Sequence, residues 1–158
     1  MIKVDGKPDG FITKFKRDLT IFAICSVLLC CTSKPSKETS PKFEQYYVHG
    51  EQLYIRHCSN CHQKNGAGLG LLYPPLDTSD YMQQNLEDVI CLLRNGKKGE
   101  LIVNGKKYNQ VMPALALSDL ELAEIATYIY NTWTHESGLL EVKLVSEILT
   151  SCDSVTSK

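Results

Sequence analysis

The chain has 158 residues, 17 Lys and Arg against 18 Asp and Glu, and a formal charge of −1. Past residue 30 the count is twelve Lys and Arg against fifteen Asp and Glu, a net of −3. That balance excludes a nucleic-acid binder, which needs a basic face, and the length leaves room for one modest domain once an export segment is set aside.

Residues 1–31 read as that export segment. Lys14, Lys16 and Arg17 precede an apolar run from Leu19 to Cys31. A basic flank before a short apolar core is a secretory signal, and about 13 residues are too few for a membrane span, which needs about 20. Val27-Leu28-Leu29-Cys30-Cys31 is similar to a bacterial lipobox, in which the cysteine becomes the lipidated first residue. Cys31 is the favoured site and Cys30 the second; an uncleaved anchor or a plainly secreted chain is the alternative. Residues 32–42 are polar and broken by Pro35 and Pro41. They are expected to form a flexible tether, giving a membrane-held domain reach or serving only as a leader.

From Phe43 to Cys58 the apolar residues recur at three- and four-residue steps, on Tyr46, Tyr47, Leu53 and Tyr54, which predicts an amphipathic helix. Gly50 interrupts it at a cost in helix stability, so another helix is expected to pass close there. The helix leads into Cys58-Ser59-Asn60-Cys61-His62. C-x-x-C-H is the attachment signature of a c-type haem. Two thiols on one helical turn are spaced to form thioethers with the two porphyrin vinyl groups, and His62 follows as the proximal iron ligand. A structural zinc site would need a second ligand pair, and Cys25, Cys30, Cys31, Cys91 and Cys152 supply no second C-x-x-C. A thioredoxin-like motif would want a βαβ setting.

A glycine-bearing loop, Gln63 to Gly70, and the rigid stretch Tyr73-Pro74-Pro75-Leu76 come next. A proline carbonyl here is suited to accept the second ring N–H of His62 and fix its tautomer, so Pro75 is counted with the cofactor-binding residues; a plain rigid turn is the alternative. A helical turn near Ser79 to Met82 is expected, then a helix from Leu86 to Asn95. Asn85 is its expected N-cap, Gly96 its stop, and Leu86, Val89, Ile90 and Leu93 its buried stripe. Asn104-Gly105 between apolar β-formers signals a two-residue hairpin. Lys97, Lys98, Lys106 and Lys107 around it are either a solvated face or a dock for an acidic partner.

Met112-Pro113 lies fifty positions after His62, enough chain to cross a haem and return. A thioether sulfur there is the expected sixth ligand, favouring Fe(II) and raising the potential relative to two histidines. Met82 is the competing sulfur, in an ordinary amphipathic turn; His57 is adjacent to the motif and cannot reach the far side, and His49 and His135 sit elsewhere. Ser118-Asp119-Leu120-Glu121 opens the last helix as a capping box. Its apolar face runs through Leu122, Ile125, Ala126 and Ile129 to Trp133, with Ala123 and Ala126 small enough to meet Gly50 and Tyr128 near Tyr54.

From Tyr46 to Trp133 the chain resembles a class I monohaem cytochrome c of the bacterial, periplasm-facing kind. The matching motifs are Gly50-x-x-x-Tyr54, Cys58-x-x-Cys61-His62, Asn65-Gly66-x-Gly68, Pro74-Pro75-Leu76, Met112-Pro113 and Ile125-x-x-Tyr128. The resemblance implies an all-α domain over residues 43–136, with first and last helices crossed around one covalently attached haem c. It also implies an electron carrier with redox protein partners, not an enzyme. The hairpin insert and residues 137–158, read as a helical extension over Val142 to Leu149, lie outside that pattern. Cys91 and Cys152 are expected to form a disulfide in an oxidising compartment; two separate thiols are the alternative. The expected location is the periplasm or the outer membrane face. Two rival functions stand beside the carrier: a haem-bearing subunit of a larger oxidoreductase complex, and a gas- or peroxide-reactive haem protein with a displaceable Met112.

Overall fold

The computed structural model describes residues 40–155. The signal-like segment, Cys30, Cys31 and the tether up to residue 39 lie outside the described residues. The described residues fall within one compact unit. They form six helices and one hairpin: α1 Pro41–His57, α2 Ser59–His62, α3 Asp80–Gln84, α4 Leu86–Asn95, β1 Leu101–Val103, β2 Lys106–Tyr108, α5 Asp119–Ile129 and α6 Val142–Val155. The architecture is all-α with a two-stranded insert, as the sequence predicts. No helix among the described residues is long and apolar enough to cross a membrane.

α1 starts two residues before the expected Phe43, so Ser40, Pro41 and Lys42 belong to the helix and its cap and not to a tether. The Ser40 hydroxyl accepts the Phe43 N–H at 3.1 Å and Pro41 occupies the first turn. Proline is favoured there because its missing N–H would be unsatisfied anyway. Tyr46, Gly50, Leu53 and Tyr54 make the buried face, and α5 packs across it. A Cβ on Gly50 would stand 2.1 Å from the Glu124 carbonyl oxygen and 2.8 Å from Tyr128 Cβ. The closest approach at the crossing is therefore made by Glu124 and Tyr128, while Ala123 and Ala126, expected there, are buried in the same core. Aromatic rings seal its end, with Tyr54 5.3 Å from Tyr128 and 5.6 Å from Trp133 between centroids.

α5 opens with the predicted capping box: Ser118 Oγ accepts the Glu121 N–H, and the Ser118 N–H donates to the Glu121 carboxylate. Every residue from Leu122 to Ile129 is buried, so this helix is the centre of the core. It ends at Ile129, short of Trp133. The Asn131 amide donates to the Thr127 and Gly138 carbonyls and accepts the Gly138 N–H. That side chain supplies the bonds that continued helix would have used, and the chain turns away.

Asn85 takes the expected N-cap position of α4, its carbonyl accepting the Val89 N–H at 2.9 Å, but its side chain makes no cap bond. The Asn85 side-chain amide donates instead to the Tyr81 carbonyl at 2.9 Å, so the same residue also closes α3. The hairpin pairs Leu101 with Tyr108 and Val103 with Lys106, and Asn104 and Gly105 both have positive φ, 51° and 69°, as a type I′ turn requires. α6 runs past the expected Leu149. Leu140, Val145, Ile148, Leu149 and Cys152 join the core, and the Cys91–Cys152 disulfide ties α6 to α4. The expected pairing is present, and the tail is part of the core rather than an appendage.

Candidate cofactor site

The C-x-x-C-H segment begins where α1 stops. Cys58 breaks the helix at φ −119° and its N–H still bonds back to Tyr54. One turn of helix, α2, follows and carries Cys61 and His62. Tyr54 anchors the end of this turn: its buried phenol donates to the Gln63 carbonyl at 2.6 Å. The two cysteines are free thiols, unlike the disulfide-bonded Cys91 and Cys152. Burial, then the neighbouring Cys61, pushes the Cys58 thiol up to about 12. Among the described residues no group of three or more His, Cys, Asp or Glu side chains gathers to hold a metal.

His62 Nδ1–H donates to the Pro74 carbonyl oxygen at 3.0 Å. This corrects the expectation for Pro75: the carbonyl that fixes the imidazole is one residue earlier. The reason lies in the chain path, because the preceding loop closes through the Leu69 N–H on the Tyr73 carbonyl at 3.0 Å and presents the next carbonyl to His62. Pro75 lines the same cleft through its ring. Burial depresses the His62 pKa below its ordinary 6.5, opposed by the Pro74 bond. The ring is thereby kept neutral, the form that ligates metals, with the tautomer set so that Nε2 carries the lone pair.

The cleft has two adjoining lobes. Cys58, His62, Pro74, Leu92, Leu101 and Met112 line both. Met82, the rival sulfur, is a buried core side chain at the wall of the inner lobe only. Of the other histidines, His57 is at the outer lobe, His49 pairs with the buried Glu124 carboxylate at 3.2 Å, and His135 Nε2–H donates to the Leu76 carbonyl at 2.8 Å. An apolar cleft, two free thiols, a neutral imidazole held from behind and a thioether on the same walls fit a covalently attached haem. Sequence reasoning missed Pro74 as the acceptor, and it missed Gly96 and Lys97 beside Met112. The Pro-Pro dipeptide marked the first to within one residue; nothing local marks the other two, because their contact is made across the fold.

Fold and site together define a class of protein, a small helical domain that takes a covalent porphyrin beneath its C-x-x-C-H turn. The Cytochrome c family model matches residues 47–133, more than half of the chain, and the chain belongs to that family as a class I cytochrome c carrying covalently bound haem c. Two curated relatives, each a cytochrome c-552 from Thermus thermophilus, are 35% identical over 91 residues. The match covers 53% of this chain and 67% and 60% of the two relatives, so it spans about two thirds of their length at most. Membership of the family brings haem-based electron transfer.

Proposed function

We propose that this protein is a single-haem electron carrier in which Cys58 and Cys61 form the two thioethers and His62 and Met112 are the axial ligands. The observation that carries this reading is that His62 and Met112, fifty positions apart in the chain, line the same apolar cleft as Cys58. Haem c, when bound, supplies a one-electron Fe(III)/Fe(II) couple. The residues do the rest. Pro74 holds the His62 ring by its Nδ1–H, which steadies the ligand and raises its basicity. The soft sulfur of Met112 favours the ferrous state and raises the potential over a bis-histidine site. The Leu, Val, Ile and Pro walls keep water from the centre. With both axial positions filled by protein, small-molecule substrates have no open position, so the protein is a carrier and not an enzyme.

The site belongs, in this reading, outside the cytoplasm, in the periplasm or on the outer membrane face. The Cys91–Cys152 disulfide favours an oxidising compartment, and the basic-then-apolar segment before Cys31 favours export with a lipid at that residue. The partners are redox proteins, met either as a free carrier or within a larger complex.

A visible spectrum and redox titration of the exported protein test the ligands. The oxidised protein is expected to show a weak far-red band from sulfur on iron, and Met112→Ala to lose it while keeping the covalent pigment. A wild type that lacks the band and binds carbon monoxide rapidly at neutral pH overturns Met112 ligation. Intact mass of the membrane-extracted chain tests the lipid: an unmodified Cys31 ends that part of the reading.

A further inference from the structure

The segment that carries Met112 has no regular secondary structure of its own, yet it is held along the C-terminal end of α4. Lys97 N–H donates to the Met112 carbonyl at 2.9 Å, and Met112 N–H donates to the Lys97 carbonyl at 3.0 Å. The Leu115 N–H donates to the Leu93 carbonyl at 3.1 Å, and Arg94 Nη1 to the Leu117 carbonyl at 3.0 Å. Gly96 lies in the middle of this run, at φ 72°. A Cβ there would be 2.5 Å from the Met112 carbonyl oxygen, 2.7 Å from the Ala114 nitrogen and 2.9 Å from the Pro113 carbonyl carbon. All three are backbone atoms, which cannot step aside as a flexible side-chain tip would.

From this geometry we infer that Gly96 is a positioning residue for the sulfur ligand: its bare Cα lets the Met112 backbone lie against α4, and the paired bonds with Lys97 then fix where the thioether enters the cleft. The inference rests on Met112 being the sixth ligand. The Lys97 side chain is not the agent, since its ammonium donates to the Lys98 carbonyl; the contact is through main chain. α4 thus serves as the rail for a ligand that lies sixteen residues beyond Gly96 in sequence. A ligand tied by two backbone bonds and laid against a bare Cα is confined to one approach, which is what a preorganised site requires.

The test uses the exported, haem-loaded protein and four variants. Gly96→Ala is expected to retain the covalently attached pigment, to lose the far-red sulfur band, and to let carbon monoxide bind once reduced. Gly105→Ala is the control for backbone strain: Gly105 also has positive φ, 69°, and lies on the same connecting segment, but a Cβ there meets nothing within 4 Å. It is expected to keep the band. Arg94→Met removes one tie to the segment, together with the Arg94–Asp119 contact, and is expected to lose the band at a lower guanidinium concentration than its own global unfolding. Met112→Ala monitors the underlying reading; should that variant keep the band, the ligand assignment fails by itself. If Met112→Ala loses the band while Gly96→Ala folds and keeps it, positioning by Gly96 is overturned. Equal loss in Gly105→Ala overturns it too. Should Gly96→Ala not fold, Arg94→Met decides: a band that disappears together with the fold, as in wild type, ends the inference.

Discussion

Tyr54 has two separate contributions, one from its ring and one from its hydroxyl. The ring is fully buried and contacts Tyr128 and Trp133. The hydroxyl donates to the Gln63 carbonyl just past the C-x-x-C-H turn. Tyr54→Phe keeps the ring and orphans that carbonyl, so about 1 kcal/mol of stability is expected to be lost, read from the guanidinium midpoint of the haem-loaded protein. Burial also holds the Tyr54, Tyr128 and Tyr130 phenols above their ordinary value of 10.0. In the unfolded chain these groups lose their protons near pH 10 while the native state retains them. The native state then binds more protons, and stability falls as pH rises above 10. A chemical-unfolding series across pH 9 to 12 checks this, and Tyr54→Phe is expected to show a shallower alkaline decline than wild type.

The element with the largest share of the fold is α5, since its buried residues face α1, α4 and α6 at once. Its start is set by a few local bonds. Ser118→Ala removes the hydroxyl that accepts the Glu121 N–H, and loss of such a cap costs about 1 kcal/mol. Hydrogen bonds from the Ser118 backbone and side chain hold the exposed Glu121 carboxyl below its ordinary 4.5. That contribution is present above pH 4.5 and fades as pH falls through the lowered native value. The bond from the Glu121 N–H to the Ser118 hydroxyl does not titrate, so Ser118→Ala is expected to unfold below wild type in acid as well, by a smaller margin than at neutral pH. A constant difference between pH 7 and pH 3 would mean that the Glu121 N–H bond alone contributes and the carboxylate half of the box does not. The joint between α1 and α5 is of another kind, a steric one. Gly50 is needed because the Glu124 carbonyl occupies the place of its side chain, and the nearby His49–Glu124 contact gives the buried carboxylate its partner.

At the scale of the whole molecule, the tail and the ligand-bearing segment are bound to the same helix. α4 holds α6 through Cys91–Cys152 and, with Lys97 just past its end, holds the Met112 segment through Leu93 and Arg94. Arg94 also bonds to Asp119, whose other oxygen accepts the Ser146 hydroxyl of α6 at 2.7 Å. Buried Thr127 exchanges hydrogen bonds with Leu140 N–H and carbonyl, at 3.1 and 3.3 Å, so the tail is docked by polar as well as apolar contacts. The disulfide closes a loop across a separation of 61 residues. On the chain-entropy account such a loop is worth about 4 kcal/mol. Replacing both cysteines by serine is expected to lower the unfolding free energy by about 2–4 kcal/mol, with the far-red band and the potential unchanged under native conditions. An unchanged guanidinium midpoint would mean that the packing of Val145, Ile148 and Leu149 alone holds the tail.

Some of this was settled by short-range chemistry, and for that reason it was legible in the residues. Cys58, Cys61 and His62 act within one helical turn. The Ser118 box needs four consecutive residues, the hairpin needs Asn104-Gly105, and the 3.6-residue period marks α1 and α5. Sequence by itself determined the haem motif, the helical class, the hairpin and the pair of cysteines left for a disulfide. Tertiary structure alone decided which proline carbonyl reaches His62, that the Glu124 carbonyl comes nearest to Gly50, that the Asn85 side chain bonds back into α3 and leaves α4 without a side-chain cap, that α5 stops before Trp133, and that Gly96 lies under Met112. Each of these is a contact between atoms far apart in the chain or a choice between two nearly equivalent local partners. Local propensity differs too little between such choices to select one, and the selection is made by which backbone fits against its neighbour when the core closes.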